Sequence, residues 1–250
     1  MKYAISVSYG NDSMAMIQWA HEKGLQDCCV VYCDTRWASS EWAERITLGE
    51  ELARKYGFST SRIESMGMQA LVRMKSGFPM HGSQFCTAWL KGFPFLNWID
   101  DIDTNNSVVV MIGKRRAESE DRKNVPEFVD SSEYHGGRAV WHPLFMHSDM
   151  ERDELLTRAG VKKLNHRSDE CSPCTNANRN DLRRLSSWDI GKLGALEREV
   201  GQPMFRAGKH AGAHGIQQVI QWAKYSPGQY KPGQDDLFES GCGSPFGCGL

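Results

Sequence analysis

The apolar residues of this chain fall into short runs, and longer amphipathic stretches separate them through the first half. Tyr3-Ala4-Ile5-Ser6-Val7 predicts a strand, and Asp12–Lys23 has the spacing of a helix that Gly24 would end. Cys28-Cys29-Val30-Val31-Tyr32-Cys33 predicts a second, buried strand. A helix from about Ser40 to Tyr56 follows, closed by Gly57, and Phe58–Ile63 is a weaker third strand. After a loop rich in Gly, Pro and His at 77–84, Thr87–Ile99 predicts a helix interrupted near Pro94. Ser107–Ile112 is the clearest strand of the doubly buried, parallel type. A short strand is expected at Arg138–Trp141 and an N-capped helix at Asp149–Ala159. This alternation predicts an α/β fold with a doubly wound parallel sheet and right-handed crossovers. From about Val161 the character changes. A mainly helical segment is expected from Cys171 to about Tyr225, then an irregular Gly/Pro-rich tail, so the expected division is 1–165 and 166–250.

In such sheets ligands sit beyond the carboxyl ends of the strands. Three polar segments follow strands directly and should converge there: Ser8–Ser13, Asp34-Thr35 and Gly113–Glu118. Ser8-Tyr9-Gly10-Asn11-Asp12-Ser13 joins a strand to a helix. Gly10 permits close backbone approach, and two serines and the helix's first N–H groups face one point, which makes a phosphate-sized anion site. The same turn also reads as an ordinary βα connection capped by Ser8 or Asp12. It is not a Walker loop, because the G-K-[ST] ending is missing. Lys114-Arg115-Arg116-Ala117-Glu118-Ser119-Glu120-Asp121-Arg122 follows the most apolar strand. Its cations could clamp phosphate or sulfate oxygens, or form a solvated helix start. Asp34-Thr35 could ligate Mg²⁺ or orient a nucleotide, and equally serves as an N-cap pair.

Composition changes this picture in two places. The chain has 250 residues and a net charge of −1, which excludes a strongly basic nucleic-acid binder by bulk charge but not a local basic face. Between Lys162 and Lys209 ten basic residues stand against six acidic ones, either a phosphate-backbone face or an ordinary helix surface. No apolar run approaches the ~20 residues that span a bilayer, and no signal peptide is evident, so no membrane partner and a cytoplasmic location are expected. Eight cysteines are many for a reducing compartment and direct attention to metal or sulfur chemistry. Cys171-Ser172-Pro173-Cys174 is a C-x2-C knuckle. With Cys86 upstream and Cys242 and Cys248 in the tail, it suits a zinc site or an iron–sulfur cluster, or else a buried or redox pair. Cys28, Cys29 and Cys33 fall inside a strand and need no role beyond packing. His81, His135, His142, His210 and His214 carry no pattern that assigns them a role.

Together these motifs resemble the PP-loop enzymes of the phosphoadenosine-phosphosulfate (PAPS) reductase family, within the adenine-nucleotide α-hydrolase-like superfamily. The resemblance covers roughly residues 1 to 185 and rests on five pieces in order: Ser8–Ser13; Asp34-Thr35 with Glu41; Cys86 before Leu90-Lys91 and Pro94; Gly113-x-Arg115-x-x-Glu118-Ser119-x-x-Arg122; and Pro143-Leu144 leading to Cys171-x2-Cys174. It implies a PP-loop nucleotide-binding domain at 1–165 and a helical cysteine-containing segment with an irregular tail at 166–250. It further implies an adenine nucleotide bound by Ser8, Tyr9, Gly10, Asn11, Asp12, Ser13, Asp34, Thr35, Gly113 and Arg115. Arg115 and Arg122 would stabilise charge at the anionic end, and Asp12 and Asp34 would assist Mg²⁺. Cluster-bearing relatives imply a [4Fe–4S] cluster on Cys86, Cys171 and Cys174. Cys242 or Cys248 would be the fourth ligand, or one iron would stay open.

Two branches of the family fit. One is similar to the ATP-pyrophosphatase components of DNA phosphorothioation systems and to tRNA thiolases. There ATP adenylates an oxygen, pyrophosphate leaves and sulfur displaces AMP. That branch implies ATP, a cysteine desulfurase as sulfur donor and nucleic acid as acceptor, DNA ahead of tRNA. The lysine common in the PP-loops of ATP-using members is Asn11 here. The other branch is the sulfonucleotide reductases, in which Cys248 would be the nucleophile and thioredoxin would release sulfite. The tail ends Gly247-Cys248-Gly249-Leu250, without the Glu and His that flank that cysteine in the reductases.

Overall fold

The computed structural model describes residues 1–80, 83–118, 122–166, 170–206 and 214–225. In chain order the first units are β1 (Tyr3–Val7), α1 (Asn11–Glu22), β2 (Cys28–Asp34), α2 (Trp42–Lys55) and β3 (Ser59–Glu64). Then come α3 (Met68–Lys75), α4 (Phe85–Thr87), a π-helical turn (Ala88–Gly92), α5 (Phe93–Ile102) and β4 (Val109–Ile112). β5 (Phe128–Ser132), β6 (Arg138–Trp141) and α6 (Asp149–Ala159) complete the sheet region, and α7 (Arg179–Arg184), α8 (Ser187–Val200) and α9 (Gly215–Tyr225) follow.

Among the described residues six strands form one sheet in the order β3-β2-β1-β4-β6-β5. β1, β2, β3, β4 and β6 pair in parallel, and β5 lies antiparallel on the edge beside β6. From β1 the chain winds outward to β2 and β3, then returns to β4 on the other side of β1. The winding therefore reverses between β1 and β4, and their ends open onto a crevice there. This is the expected doubly wound α/β architecture.

Strand side chains alternate between faces, so each face has its own core. Ile5, Val30, Tyr32 and Met111 point toward α1, α2 and α6, packing with Met14, Ile17, Ile46 and Leu155. Ala4, Val31, Cys33, Val110 and Ile112 point the other way, against Phe95 and Ile99 of α5. A third cluster joins Trp37 and Leu71 to Leu90 and to Leu182, Leu193 and Val219 of α7–α9. Each such buried side chain is worth roughly 1.5–3 kcal/mol. This cluster fastens the C-terminal helices beside the crevice. No helix among the described residues is long and apolar enough to cross a membrane.

The structure departs from the periodicity in four places. The segment around Pro94 is not broken. The helix runs from Phe85 to Ile102 and widens to a π turn at Ala88–Gly92, just ahead of the proline. Such a turn accommodates the ring and the missing N–H. α3 was hidden by its length of eight residues, although Met68, Leu71 and Val72 have helical spacing. β5 is a half-exposed edge strand, Phe-Val-Asp-Ser-Ser, with no apolar run to mark it. The expected helix from Cys171 begins only at Arg179, because Ser172 N donates to Trp37 O at 2.9 Å and Cys171 bridges Ala38. The tail, with Cys242 and Cys248, lies outside the described residues, as do Ser119, His81 and His210.

Candidate functional site

The turn after β1 is fixed from several sides. Tyr9 adopts a left-handed conformation (φ 59°) and turns its ring into the core, 5.5 Å from that of Tyr32. The ring lies flat on α2 at Gly49, where an added Cβ would come within 2.1 Å of Tyr9 Cδ1. Trp42 Nε1 donates to Ser8 O at 2.8 Å, and Arg45 Nε donates to Tyr9 O at 2.9 Å. Asn11 exchanges two hydrogen bonds with the Leu164 backbone, donating to its carbonyl at 3.2 Å and accepting from its N–H at 3.0 Å. Arg45 also donates to Asn11 Oδ1 and to Lys162 O. Asn11 thus ties the turn to residues 162–164.

Gly10 is the N-cap of α1, and among the described residues no side chain caps that helix. Neither Ser8 nor Asp12 takes the role the ordinary βα reading would give it. Instead Ser8 N donates to Ser13 Oγ at 3.2 Å, and the two hydroxyls lie 3.3 Å apart. Two hydroxyls beside an uncapped helix N-terminus form a cradle suited to anionic oxygens.

A crevice opens at the β1/β4 reversal and holds roughly 590 Å³ of space, counting the part open to solvent. Ser8 and Ser13 line it with Ser6 and Val7. Val110, Ile112, Gly113 and Lys114 come from β4 and the residues after it. Cys33, Lys91, Gly92, Phe95 and His135 complete its lining. The cations along the crevice are therefore lysines. Lys91 Nζ is held at 2.8 Å by Glu170, a buried carboxylate that also accepts from Tyr32 Oη at 2.8 Å and Thr35 Oγ1 at 3.3 Å.

The arginines are placed differently. Asp12 Oδ1 accepts from Arg115 Nε at 2.5 Å and from Arg152 Nη1 at 3.2 Å, and all three residues are buried. Arg115 also pairs with Asp149 at 2.9 Å, and its backbone N–H donates to Glu118. Arg122 is buried and donates to Glu118. Burial pushes the Glu118 carboxyl up to about 7, against the pull of Arg122. The chain turns directly after β4, where Lys114 N donates to Ile112 O at 2.9 Å; Lys114 lines the crevice, and Arg115 is drawn to Asp12. Asp34 Oδ1 accepts from the Arg36 N–H at 2.7 Å, so Asp34 shapes the bend after β2.

The cysteine loop docks onto the β2–α2 connection. Trp37 Nε1 donates to Pro173 O at 2.9 Å, and Cys174 Sγ accepts from Asn176 N at 3.4 Å. Cys86 and Cys171 both pack against the third apolar cluster. Among the described residues no group of three or more His, Cys, Asp or Glu side chains is arranged to hold a metal ion. Cys242, the expected fourth ligand, lies outside the described residues.

Lys114, Phe95 and His135 had no assigned place in the site. Lys114 lies in a turn beyond the end of β4, so strand parity does not place it. Phe95 and His135 depend on which helix covers which sheet face, and the local sequence does not encode that.

The sequence model of the phosphoadenosine phosphosulfate reductase domain matches residues 2–165, and the chain belongs to that family of PP-loop enzymes acting on adenine nucleotides. Among solved structures the chain is similar to a phosphoadenylyl-sulfate (PAPS) reductase from Candida auris in its phosphate complex. The identity is 12%, covering 65% of this chain and 75% of that one, with a TM-score of 0.45. It is also similar to an NMN synthetase from Francisella tularensis at 12% identity, covering 89% and 83%, with a TM-score of 0.47. No curated protein sequence matches the chain.

Proposed function

We propose that this protein is an AMP-forming ATP pyrophosphatase that activates an oxygen for sulfur insertion into nucleic acid, with DNA phosphorothioation as the preferred setting. The observation that carries the reading is the cradle at the sheet's reversal point: paired hydroxyls of Ser8 and Ser13, an uncapped α1, and Lys91 and Lys114 in one crevice. In this reading pyrophosphate leaves toward Ser8 and Ser13. An acceptor oxygen attacks the α-phosphorus, the bond to the bridging oxygen breaks, and a sulfur nucleophile then displaces AMP. The lysines and the amides of α1 balance charge on the departing pyrophosphate. Asp12 is already shared between Arg115 and Arg152, so Mg²⁺ arrives on the ATP phosphates and no step is routed through that carboxylate. Arg115 acts by fixing Asp12 and the start of α1, and Arg122 acts by fixing Glu118.

The [4Fe–4S] cluster is a proposal carried by the sequence positions of Cys86, Cys171, Cys174 and Cys242, and no step is drawn through it. Iron with acid-labile sulfide in anaerobically purified protein would uphold it, and zinc alone would remove it. A cysteine desulfurase is the proposed sulfur donor. The reaction is tested by incubating that protein with ATP and Mg²⁺, alone and with duplex DNA or tRNA. AMP with pyrophosphate is the expected result, and ATP left intact in every run contradicts it.

The family match favours a second reading, a reductase of adenylyl sulfate or PAPS. There the Cys248 thiolate attacks the sulfonucleotide sulfur and the nucleotide leaves. A thioredoxin dithiol then releases sulfite and becomes a disulfide. Full activity of Cys248→Ser on either sulfonucleotide removes Cys248 as the nucleophile, and wild type that turns over neither sulfonucleotide with thioredoxin removes this reading.

A further inference from the structure

Three buried arginines converge on the first turn of α1. Arg115 and Arg152 both reach Asp12, and each also pairs with Asp149. Arg45, from α2, has a different set of partners. Its Nε donates to Tyr9 O at 2.9 Å, its Nη1 to Lys162 O at 2.8 Å and its Nη2 to Asn11 Oδ1 at 3.2 Å. Two of these acceptors are backbone carbonyls and the third is an amide oxygen, so all are neutral. Among the described residues no carboxylate pairs with Arg45, and only 7% of the residue is exposed. We infer that Arg45 is a positioning residue of the phosphate turn, and that its uncompensated charge favours multiply charged phosphate ligands there. This rests on the nucleotide reading above.

A buried charge among neutral groups is unfavourable, which is why buried guanidinium groups usually meet carboxylates. Arg138 of β6 is such a case, held by Asp100 and Asp103 at 2.7 Å each. The location of Arg45 adds to the imbalance. Tyr9 stands between Ser8 and the N-cap Gly10, and Asn11 is the first residue of α1. A helix N-terminus already carries partial positive charge, so a cation beside it is disfavoured twice. Burial lowers the pKa of Arg45 from the ordinary guanidinium value, with no neighbouring charge opposing it, and a guanidinium stays protonated at neutral pH.

An anion in the Ser8–Ser13 cradle relieves both imbalances at once. Attraction between charges reaches farther in a protein interior than in water, so Arg45 acts on the ligand without touching it. Its three hydrogen bonds fix the guanidinium against the turn and keep it from swinging out to solvent. The gain grows with the charge of the ligand, so pyrophosphate or a triphosphate tail benefits more than a single phosphate.

The test is equilibrium binding of inorganic phosphate, pyrophosphate and ATP with Mg²⁺ to the full chain and to Arg45→Gln, Arg45→Met and Arg45→Lys, with urea melts to confirm folding. The uncharged Gln and Met variants should weaken pyrophosphate and ATP by about tenfold or more, and phosphate by only about threefold. Arg45→Lys keeps the charge and loses the planar fork, and should stay within about threefold of wild type for every ligand. If Arg45→Gln does not fold, the Met and Lys pair carries the comparison. Pyrophosphate binding unchanged in the uncharged variants overturns the inference and leaves the nucleotide reading standing. Equal loss in Arg45→Lys and Arg45→Met also overturns it, as does equal loss of phosphate and pyrophosphate, because either result marks a role in shape and not in charge. Wild type that binds neither pyrophosphate nor ATP overturns the nucleotide reading and this inference together.

Discussion

The phosphate turn and the cysteine loop are anchored by the same device and put to different use. Each hangs from an indole N–H: Trp42, the first residue of α2, donates to Ser8 O at 2.8 Å, and Trp37, in the β2–α2 connection, donates to Pro173 O at 2.9 Å. At the turn the carboxylate, Asp12, is shared by Arg115 and Arg152. Hydroxyls and an uncapped helix end are left facing the crevice. At the cysteine loop the reverse holds. The charged residue beside the first cysteine, Glu170, reaches across to Lys91, Tyr32 and Thr35. Cys86 and Cys171 pack against the third apolar cluster. The turn is a complete cradle within one βα unit, whereas the cysteine loop's expected ligand set extends to Cys242, in a segment distant along the chain.

The strongest way to break this comparison is Asp12→Ala. It leaves two buried guanidinium groups without their shared carboxylate and should cost about 3–5 kcal/mol in urea denaturation, as for one partner of a buried ion pair. A loss under about 1 kcal/mol would mean that the network is solvated and the turn is held otherwise.

Acid should act nearly as strongly through each of two buried histidines. Burial holds His135 and His142 down to about 4, below the ordinary value near 6.5 that they regain on unfolding. Between those values the unfolded chain takes up protons that the native state refuses, so stability falls as pH drops from 6.5 toward 4 and is unaffected by these groups above 6.5. Each histidine contributes on the order of 3 kcal/mol across that window. His135→Gln should therefore show a shallower loss of stability over the same range.

The smallest effect separates the two loops most sharply. Trp42→Phe and Trp37→Phe each remove one indole hydrogen bond, worth about 0.5–1.5 kcal/mol. Thermal melts should move alike, but pyrophosphate binding should weaken only in Trp42→Phe. Equal weakening in both would show that the cysteine loop shapes the anion site.

Much of this was legible in the chain. Near-continuous apolar strands and intervening helices gave the sheet and its winding, and Ser8–Ser13 stood out because a polar turn between strand and helix has few other uses. The arginines show the limit. Arg115 and Arg122 have the right chemistry for phosphate, but the turn after β4 brings Arg115 to Asp12 and leaves Lys114 lining the crevice. Asn11 is polar and sits in the turn, yet its partner is the backbone of Leu164, a contact 153 residues away in sequence. His135 lies in a short turn before β6 and reaches the crevice only because α5 packs over that face of the sheet.

The central claim is that the Ser8–Ser13 turn holds the phosphates of an adenine nucleotide. The most direct test is titration of ATP and Mg²⁺ into wild type and Ser13→Ala by calorimetry, with urea melts to confirm that the variant is folded. Saturable one-to-one binding is expected in wild type. Loss of the hydroxyl should weaken it about tenfold or more, as when a hydrogen bond to a charged group is removed. Equal affinity in the two proteins, or no binding to a folded wild type, would contradict the account.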